Sequence, residues 1–242
     1  MKNLKRTLFS LVLLSAFSIE PAFAHASLDE LIEYTTDLVG SKPGNPRALL
    51  NRARLHLKQG NASPALKDIE AAERFSDHIE VAYVLGLYFV AEDQHQQAIH
   101  AFSQYLTRFP VFTPAIHGRA KAYAKLGLIE LSIRDYQYLL SVSKEHSPDY
   151  YLELARLEST LEPYGLHLAL RSLDRGIESL GLLVSLQMEA IKFELLRKDY
   201  SAALARHETL EPWLGKTAQW QMRKKQLSDR SLVDLDLSNF NN

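Results

Sequence analysis

Few residues of this chain have the type and spacing that catalysis or metal binding requires. The sequence has no cysteine, which excludes disulfides, cysteine-bound zinc and a cysteine nucleophile. It also has no G-x-S-x-G motif, no H-E-x-x-H motif and no glycine-rich phosphate loop. The nine histidines are scattered, and His95 and His100 are five residues apart, which fits one helical face poorly. We therefore predict a chain that is not an enzyme and has no metal or cofactor.

Weak metal-binding patterns occur in two segments. Asp234-x-Asp236-x-Ser238 begins like a calcium loop, but Asn239 replaces the turn glycine and no bidentate glutamate follows. Cleavage after Ala24 would make His25 the first residue, and its amine and imidazole could then chelate copper. Because two further ligands are not evident, a frayed terminus is favoured over a metal site.

The start of the chain has the three-part layout of a secretory signal. Basic residues at positions 2, 5 and 6 precede an apolar run over 8–19, and Ala22-Phe23-Ala24 gives the small-x-small cleavage pattern. We predict a signal peptide over 1–24, cleaved after Ala24 or Ala26, and a periplasmic or secreted protein. Without a cysteine the mature chain cannot carry the lipid anchor of a bacterial lipoprotein. A retained N-terminal anchor is the alternative, although this run is too short to span a bilayer.

Composition and charge exclude several classes of protein. The 242 residues are 46% hydrophobic and 24% charged, an ordinary globular composition. Removing 1–24 takes away three basic residues and Glu20, so the net charge falls from −1 to −3. A small acidic balance argues against a nucleic-acid partner. No later segment approaches 18 consecutive apolar residues, so we expect no stable insertion into a membrane.

The stretch from Val81 to Pro110 predicts two helices joined by a tight turn. Its first half is apolar on nearly every side, so that helix must be covered on two faces. Its second half is apolar at every third or fourth residue, which is typical of an amphipathic helix. Pro110 cannot continue a helix and ends the unit.

This helical hairpin recurs along the chain. If Gly60, Asp93 and Gly127 are placed in equivalent turns, the offsets are 33 and 34 residues. Small residues then align in two columns, the first in the helix before each turn and the second in the helix after it. These columns contain Ala53, Gly86 and Ala120, and Ala65, Ala98 and Ser132.

The repeat resembles the tetratricopeptide repeat, or TPR. The resemblance depends on the period and on residues of the second hairpin, namely Leu85, Gly86, Phe89, Ala98, Phe102 and Pro110. Arg52 and Arg119 depart from the family, which prefers an apolar residue at their position. The resemblance implies an all-α fold, a right-handed superhelical solenoid of antiparallel helix pairs. A generic helical bundle with similar spacing is the alternative.

The repeats and their flanks predict the domain organisation. We expect an N-terminal capping helix within 25–45, begun by a capping box of Ser27 and Glu30. About five hairpins follow over 46–215, the last two degenerate. A C-terminal capping helix and a loose tail occupy 216–242. That helix starts at Thr217, and Trp220 and Leu227 would face the last repeat.

Resemblance to the family also implies that the first helix of each hairpin lines a concave groove. An apolar and aromatic middle would be flanked by basic residues, which suits a peptide or a partner helix. The predicted groove residues are Leu50, Arg54, Leu57, Lys58, Tyr83, Leu87, Val90, His117, Lys121, Lys125, Leu152 and Arg156. The alternative is that Tyr83 and Leu87 belong to the core and the lysines form an ordinary solvated face.

The sequence therefore favours a non-catalytic scaffold that binds a protein or peptide partner. Arginine and lysine in the groove would pair with acidic side chains or a C-terminal carboxylate of that partner. Envelope assembly, secretion and maturation of another protein are all compatible roles. A structural protein that self-associates is the alternative, and a metal-binding protein that uses His25 is less favoured. The carboxylate clamp of chaperone-binding family members is not reproduced, because Leu50 and Tyr83 stand where polar residues would help.

Overall fold

The structure, a computed structural model, describes residues 26–229. The predicted signal peptide, His25 as a copper ligand, the Asp234 pattern and the C-terminal tail lie outside these residues. The chain divides into two compact units, the first ending at Asp77 and the second beginning at His78. Thirteen helices and no strand occur in the described part, so the predicted all-α class is confirmed.

The described part of unit 1, residues 26–77, contains three helices that pack in chain order. They are α1 (Leu28–Ser41), α2 (Pro46–Lys58) and α3 (Ala62–Glu73). The predicted capping box at the start of α1 is confirmed, since Ser27 Oγ accepts from the Glu30 backbone N–H and the Glu30 carboxylate accepts from the Ser27 N–H. Asn45 caps α2 in a similar way, and Pro46 occupies its first turn.

The described part of unit 2, residues 78–229, contains ten helices. These are α4 (His78–Ala91), α5 (His95–Arg108), α6 (Thr113–Lys125), α7 (Ile129–Val142), α8 (Pro148–Glu158), α9 (Gly165–Leu180), α10 (Val184–Leu196), α11 (Tyr200–Thr209), α12 (Glu211–Leu214) and α13 (Ala218–Ser228). Sequential helices from α4 to α11 pack against each other, and α13 packs on α11. The first eight helices thus form four hairpins, and α13 covers the last of them.

In four of the five hairpins of the described residues, a residue with left-handed backbone closes the turn, the exception being the hairpin of α8 and α9. Gly60, Asp93 and Gly127 have φ of 83°, 54° and 72°, and Lys198 in the last hairpin has φ of 62°. The following N–H donates to a carbonyl five residues earlier in each case, for example Gln94 to Phe89 at 2.8 Å. This is the hydrogen bond of a Schellman motif, and it stops one helix so that the next can fold back. The equivalence of the three turns is therefore confirmed.

Small residues let the helices of unit 2 approach closely. Ala98, Ala120 and Ser132 are fully buried. Phe102 of α5 is also fully buried, and its ring lies between Gly86 of α4 and Gly118 of α6. A Cβ added at either glycine would lie 2.6 Å from that ring. The Phe102 ring therefore sets the spacing of α4, α5 and α6.

The C-terminal end of unit 2 has its own apolar cluster. Trp220 and Leu227 of α13 are 3% and 1% exposed and pack with residues of α10 and α11. Thr217 Oγ1 accepts from the Trp220 N–H and caps α13. The prediction that Trp220 and Leu227 face the last hairpin is confirmed. None of the described helices combines the length and the apolar character needed to cross a membrane.

Candidate partner-binding face

The first helices of neighbouring hairpins in unit 2 lie against each other, α4 against α6 and α8 against α10. We call the exposed side of α4, α6, α8 and α10 the inner face. Leu87 and Lys121 each lie six residues before a left-handed turn residue, Asp93 or Gly127. Equivalent positions in repeated hairpins project from equivalent sides of their helices, so these two side chains belong to the same face.

Tyr83 was predicted to line the groove, and the structure corrects this prediction. The side chain is 8% exposed, and its ring centroid lies 5.0 Å from that of Phe112, 5.4 Å from that of Tyr105 and 6.1 Å from that of Phe102. Four aromatic rings therefore meet where α4, α5 and the start of α6 converge. Tyr83 holds these helices together and offers no ring to a partner, whereas Leu87 and Val90 are only half-buried.

His117, Lys121 and Lys125 follow one another at every fourth residue along α6, so they form one stripe. Both lysines are exposed, and neither makes an ion pair within residues 26–229. Their ammonium groups are therefore available to an anionic group from outside the chain. They lie one helical turn apart, about 6 Å along the axis.

His117 begins this stripe and is half-buried between aromatic rings. Its ring centroid lies 5.1 Å from that of Tyr150 and 5.8 Å from that of Tyr136, both edge to face. Burial lowers the pKa of His117, Lys121 lowers it further, and Asp149 opposes the change. The imidazole is thus neutral at pH 7. It adds an aromatic ring to the stripe and does not add a third positive charge.

Arg156 of α8 is occupied by carboxylates of its own unit. Its Nε donates to Glu189 at 3.1 Å and its Nη1 to Glu153 at 3.3 Å. Hydrogen bonding to Glu189 outweighs desolvation and raises the pKa of Arg156. Since the guanidinium is already paired, Arg156 is less available to a partner's carboxylate than the sequence suggested. Leu152, four residues earlier in α8, is half-buried.

Lys192 of α10 also lies on the inner face, although none of the predicted groove residues belongs to α10. Lys192 lies six residues before the turn residue Lys198, as Lys121 does before Gly127, and its Nζ lies 3.6 Å from Glu189. The signal that could have found it was the turn spacing of the fifth hairpin. Glu153, Arg156, Glu189 and Lys192 form a mixed-charge network, so this end of the inner face has little net charge.

Unit 1 carries the remaining predicted residues on α2. Leu50, Arg54 and Leu57 are half-buried, and Lys58 is exposed. Arg54 and Lys58 are four residues apart, which repeats the spacing of Lys121 and Lys125. That the α2 residues and the inner face of unit 2 form a single groove remains a prediction.

The two arginines that departed from the repeat pattern have structural partners. Arg52 donates from Nε and Nη2 to both carboxylate oxygens of Asp68, at 2.8 and 2.6 Å, and its Nη1 lies 3.3 Å from Thr36 Oγ1. Arg119 makes the same bidentate pair with Asp135, at 2.8 Å for each bond. Both pairs join residues 16 apart, so the shared spacing could have revealed them in the sequence.

Arg119 donates a third hydrogen bond to Ser103, whose Oγ accepts from Nη1 at 3.2 Å. Each arginine therefore ties three consecutive helices together through charge-assisted hydrogen bonds. Where the family prefers an apolar contact, each of these arginines instead makes hydrogen bonds to the two neighbouring helices, and we call this arrangement the arginine clamp. Among residues 26–229, no group of three or more histidine, aspartate or glutamate side chains is placed to hold a metal ion.

No protein-family model matches the sequence, and no curated protein matches it either. Solved structures do resemble the fold. PilW, a widely conserved type IV pilus biogenesis factor, superposes with a TM-score of 0.66 at 18% identity, over 81% of this chain and 90% of that chain. PilF of Pseudomonas aeruginosa gives 0.62 at 12% identity, over 82% and 90% of the two chains.

Two further structures widen the comparison. The thermophilic TPR protein TTC0263 of Thermus thermophilus gives a TM-score of 0.55 at 20% identity, over 69% of this chain and 91% of that chain. The Cut9-Hcn1 hetero-tetramer of the APC/C gives 0.60 at 13% identity, over 83% of this chain, although the match spans only 39% of that longer chain. The chain has the tetratricopeptide-repeat fold. This conclusion is supported by the helical hairpins with Schellman turns, by the aligned small residues and by the similarity to these solved structures.

Proposed function

We propose that this chain is a non-catalytic scaffold that binds a protein or peptide partner on the inner face of unit 2. The observation that carries the proposal is the pair of exposed, unpaired lysines on α6, next in the fold to the half-buried Leu87 and Val90 of α4. Apolar contacts would supply affinity, and Lys121 and Lys125 would select acidic side chains or a C-terminal carboxylate.

We also propose a periplasmic or secreted location and a role in envelope assembly, secretion or maturation of another protein. The layout of residues 1–24 supports export. PilW is described as a type IV pilus biogenesis factor, which supports an envelope role for the similar fold. Repeat scaffolds serve many processes, so the partner must be identified by experiment.

The test is affinity capture from a periplasmic extract, with chemical crosslinking and identification by mass spectrometry. The inner-face variant carries Leu87→Ala, Lys121→Glu and Lys125→Glu, and leaves the core residue Tyr83 intact. The matched control reverses two exposed cations outside α4, α6, α8 and α10, through Arg134→Glu and Lys144→Glu. Circular dichroism shows whether each variant retains its helices.

We expect one partner to be captured by the native chain and by the control, and to be lost from the inner-face variant. Equal capture by all three proteins would refute the inner face as the binding site. Recovery of the chain crosslinked only to itself would instead support the alternative, a structural protein that self-associates.

A further inference from the structure

A histidine without hydrogen-bond partners lies beneath the C-terminal helix. His207 of α11 is fully buried, and neither ring nitrogen has a partner among the described residues. Its ring stacks on Trp220 of α13, with centroids 3.3 Å apart and planes 16° from parallel. Trp220 Nε1 is also buried without a partner in this part of the chain. Such groups are rare in folded proteins, because each one costs free energy when it is removed from water.

The charged groups around His207 do not supply an acceptor for a protonated ring. From α13, Arg223 and Lys224 act on it with like charge, while Glu211 of α12 acts with opposite charge. Lys224 holds Glu211 at 3.0 Å and Glu208 of α11 at 3.4 Å, so these carboxylates already have a cation.

The other neighbouring elements offer no free carboxylate either. From α10, Ile191 and Leu195 contribute apolar side chains to the same cluster. Glu194 of α10 lies 3.4 Å from Arg206 Nε, and Arg206 also binds Asp174 of α9 at 2.7 Å. An imidazolium at His207 would therefore be desolvated, beside two cations and without a carboxylate partner of its own.

We propose that α13 is a cap whose docking depends on pH. Protonation of His207 favours the state in which α13 has separated from α11. The neutral ring is compatible with stacking on Trp220 inside the cluster. The charged ring gains its full hydration only when α13 moves away. Stacking of a cation on the Trp220 face opposes this release, whereas burial and the like charges of Arg223 and Lys224 favour it.

The direction of the pH effect follows from the two states. Burial, Arg223 and Lys224 lower the pKa of His207 from 6.5 to about 4 in the docked state, against the opposing effect of Glu211. A lowered histidine pKa means that docking keeps its full stability above pH 6.5 and loses it as the pH falls toward 4. This linkage raises the separated population by about 20-fold between pH 7 and pH 5.

Separation would uncover the apolar end of unit 2. Ile191 of α10, Ala203 of α11 and Leu210, which follows α11 directly, are fully buried in the cluster that α13 completes. Trp220 would be exposed at the same time. A change in pH would thus alter the surface of the array without unfolding the hairpins that carry the inner face.

Hydrogen–deuterium exchange of the full chain between pH 7 and pH 5 tests the proposal, with rates corrected for the intrinsic effect of pH. We expect the opening of α13 amides to increase by about 20-fold, while amides of α4 change little. In His207→Phe, which keeps an aromatic ring against Trp220 without a titrating group, the α13 opening should vary less than 3-fold.

Two results would overturn the proposal. Constant opening of α13 in the native chain would show that His207 does not govern docking. An unchanged pH response in His207→Phe would show that a group other than His207 governs the effect. If His207→Phe fails to fold, His207→Gln provides the same comparison, because glutamine is also neutral over this range.

Discussion

Replacing the Arg119 clamp tests whether this arginine serves stability or has another role. Arg119→Leu removes a guanidinium that is bidentate to Asp135 and leaves that carboxylate with 11% of its side chain exposed and no cation. Breaking a buried ion pair costs about 3–5 kcal/mol. Since the Arg119 side chain retains 22% exposure, we expect a smaller loss, about 2–3 kcal/mol.

The double variant Arg119→Leu with Asp135→Leu should recover most of that loss. Two apolar residues restore the type of contact that the repeat family prefers here, and no charge stays desolvated. We expect a free energy of unfolding within about 1 kcal/mol of the native chain. Ser103 remains exposed enough to find water, so its lost hydrogen bond adds little cost.

The assay is urea denaturation followed by circular dichroism, with thermal melts at the same protein concentration. The matched pair in unit 1, Arg52→Leu with Asp68→Leu, repeats the experiment at the equivalent position. If each double variant is as unstable as its arginine single variant, the reasoning from an uncompensated carboxylate is refuted. Native capture of the partner by the double variant would also show that the clamp does not contact that partner.

Three further predictions concern packing, burial and capping. Gly118→Ala should lower stability by about 1–3 kcal/mol in thermal melts, because its Cβ would lie 2.6 Å from the Phe102 ring, and Phe102→Leu should reduce that cost. Glu158→Gln should be at least as stable as the native chain at pH 7. Burial raises the pKa of Glu158, although the hydrogen bonds from Ser172 and Gln137 oppose this change, so the charged carboxylate is disfavoured in the folded state. The stability difference between the variant and the native chain should therefore shrink as the pH falls. Thr217→Ala should cost about 1 kcal/mol of α13 stability, measured by amide exchange.

The helix boundaries could be predicted because their signals are local. Gly60 and Gly127 mark left-handed turns in the sequence itself, and spacing alone placed Asp93 beside them. Ser27 and Thr217 mark helix starts through their own side chains. Each of these features depends on residues that are close in sequence, so a short sequence pattern is enough to predict it.

The exposed side of a helix depends instead on distant residues. The α4 helix is apolar all round, and periodicity within it cannot say which side another element will cover. Tyr83 became core because Phe112, from the segment leading into α6, lies 5.0 Å from its ring. Lys192 was missed because the fifth hairpin keeps the turn geometry but few of the family's residue types.

Contacts with distant residues also decide which basic side chains can pair with a partner. A cation selects an acidic partner only if its own chain has not already neutralised it. Arg156 is paired with Glu189, 33 residues away in the sequence, and the charge of Lys192 is opposed by the same carboxylate. Lys121 and Lys125 have no such partner within residues 26–229. If the inner face binds a partner as proposed, we expect its electrostatic selectivity to come mainly from α6, and the α8–α10 end to contribute shape and apolar contact more than charge.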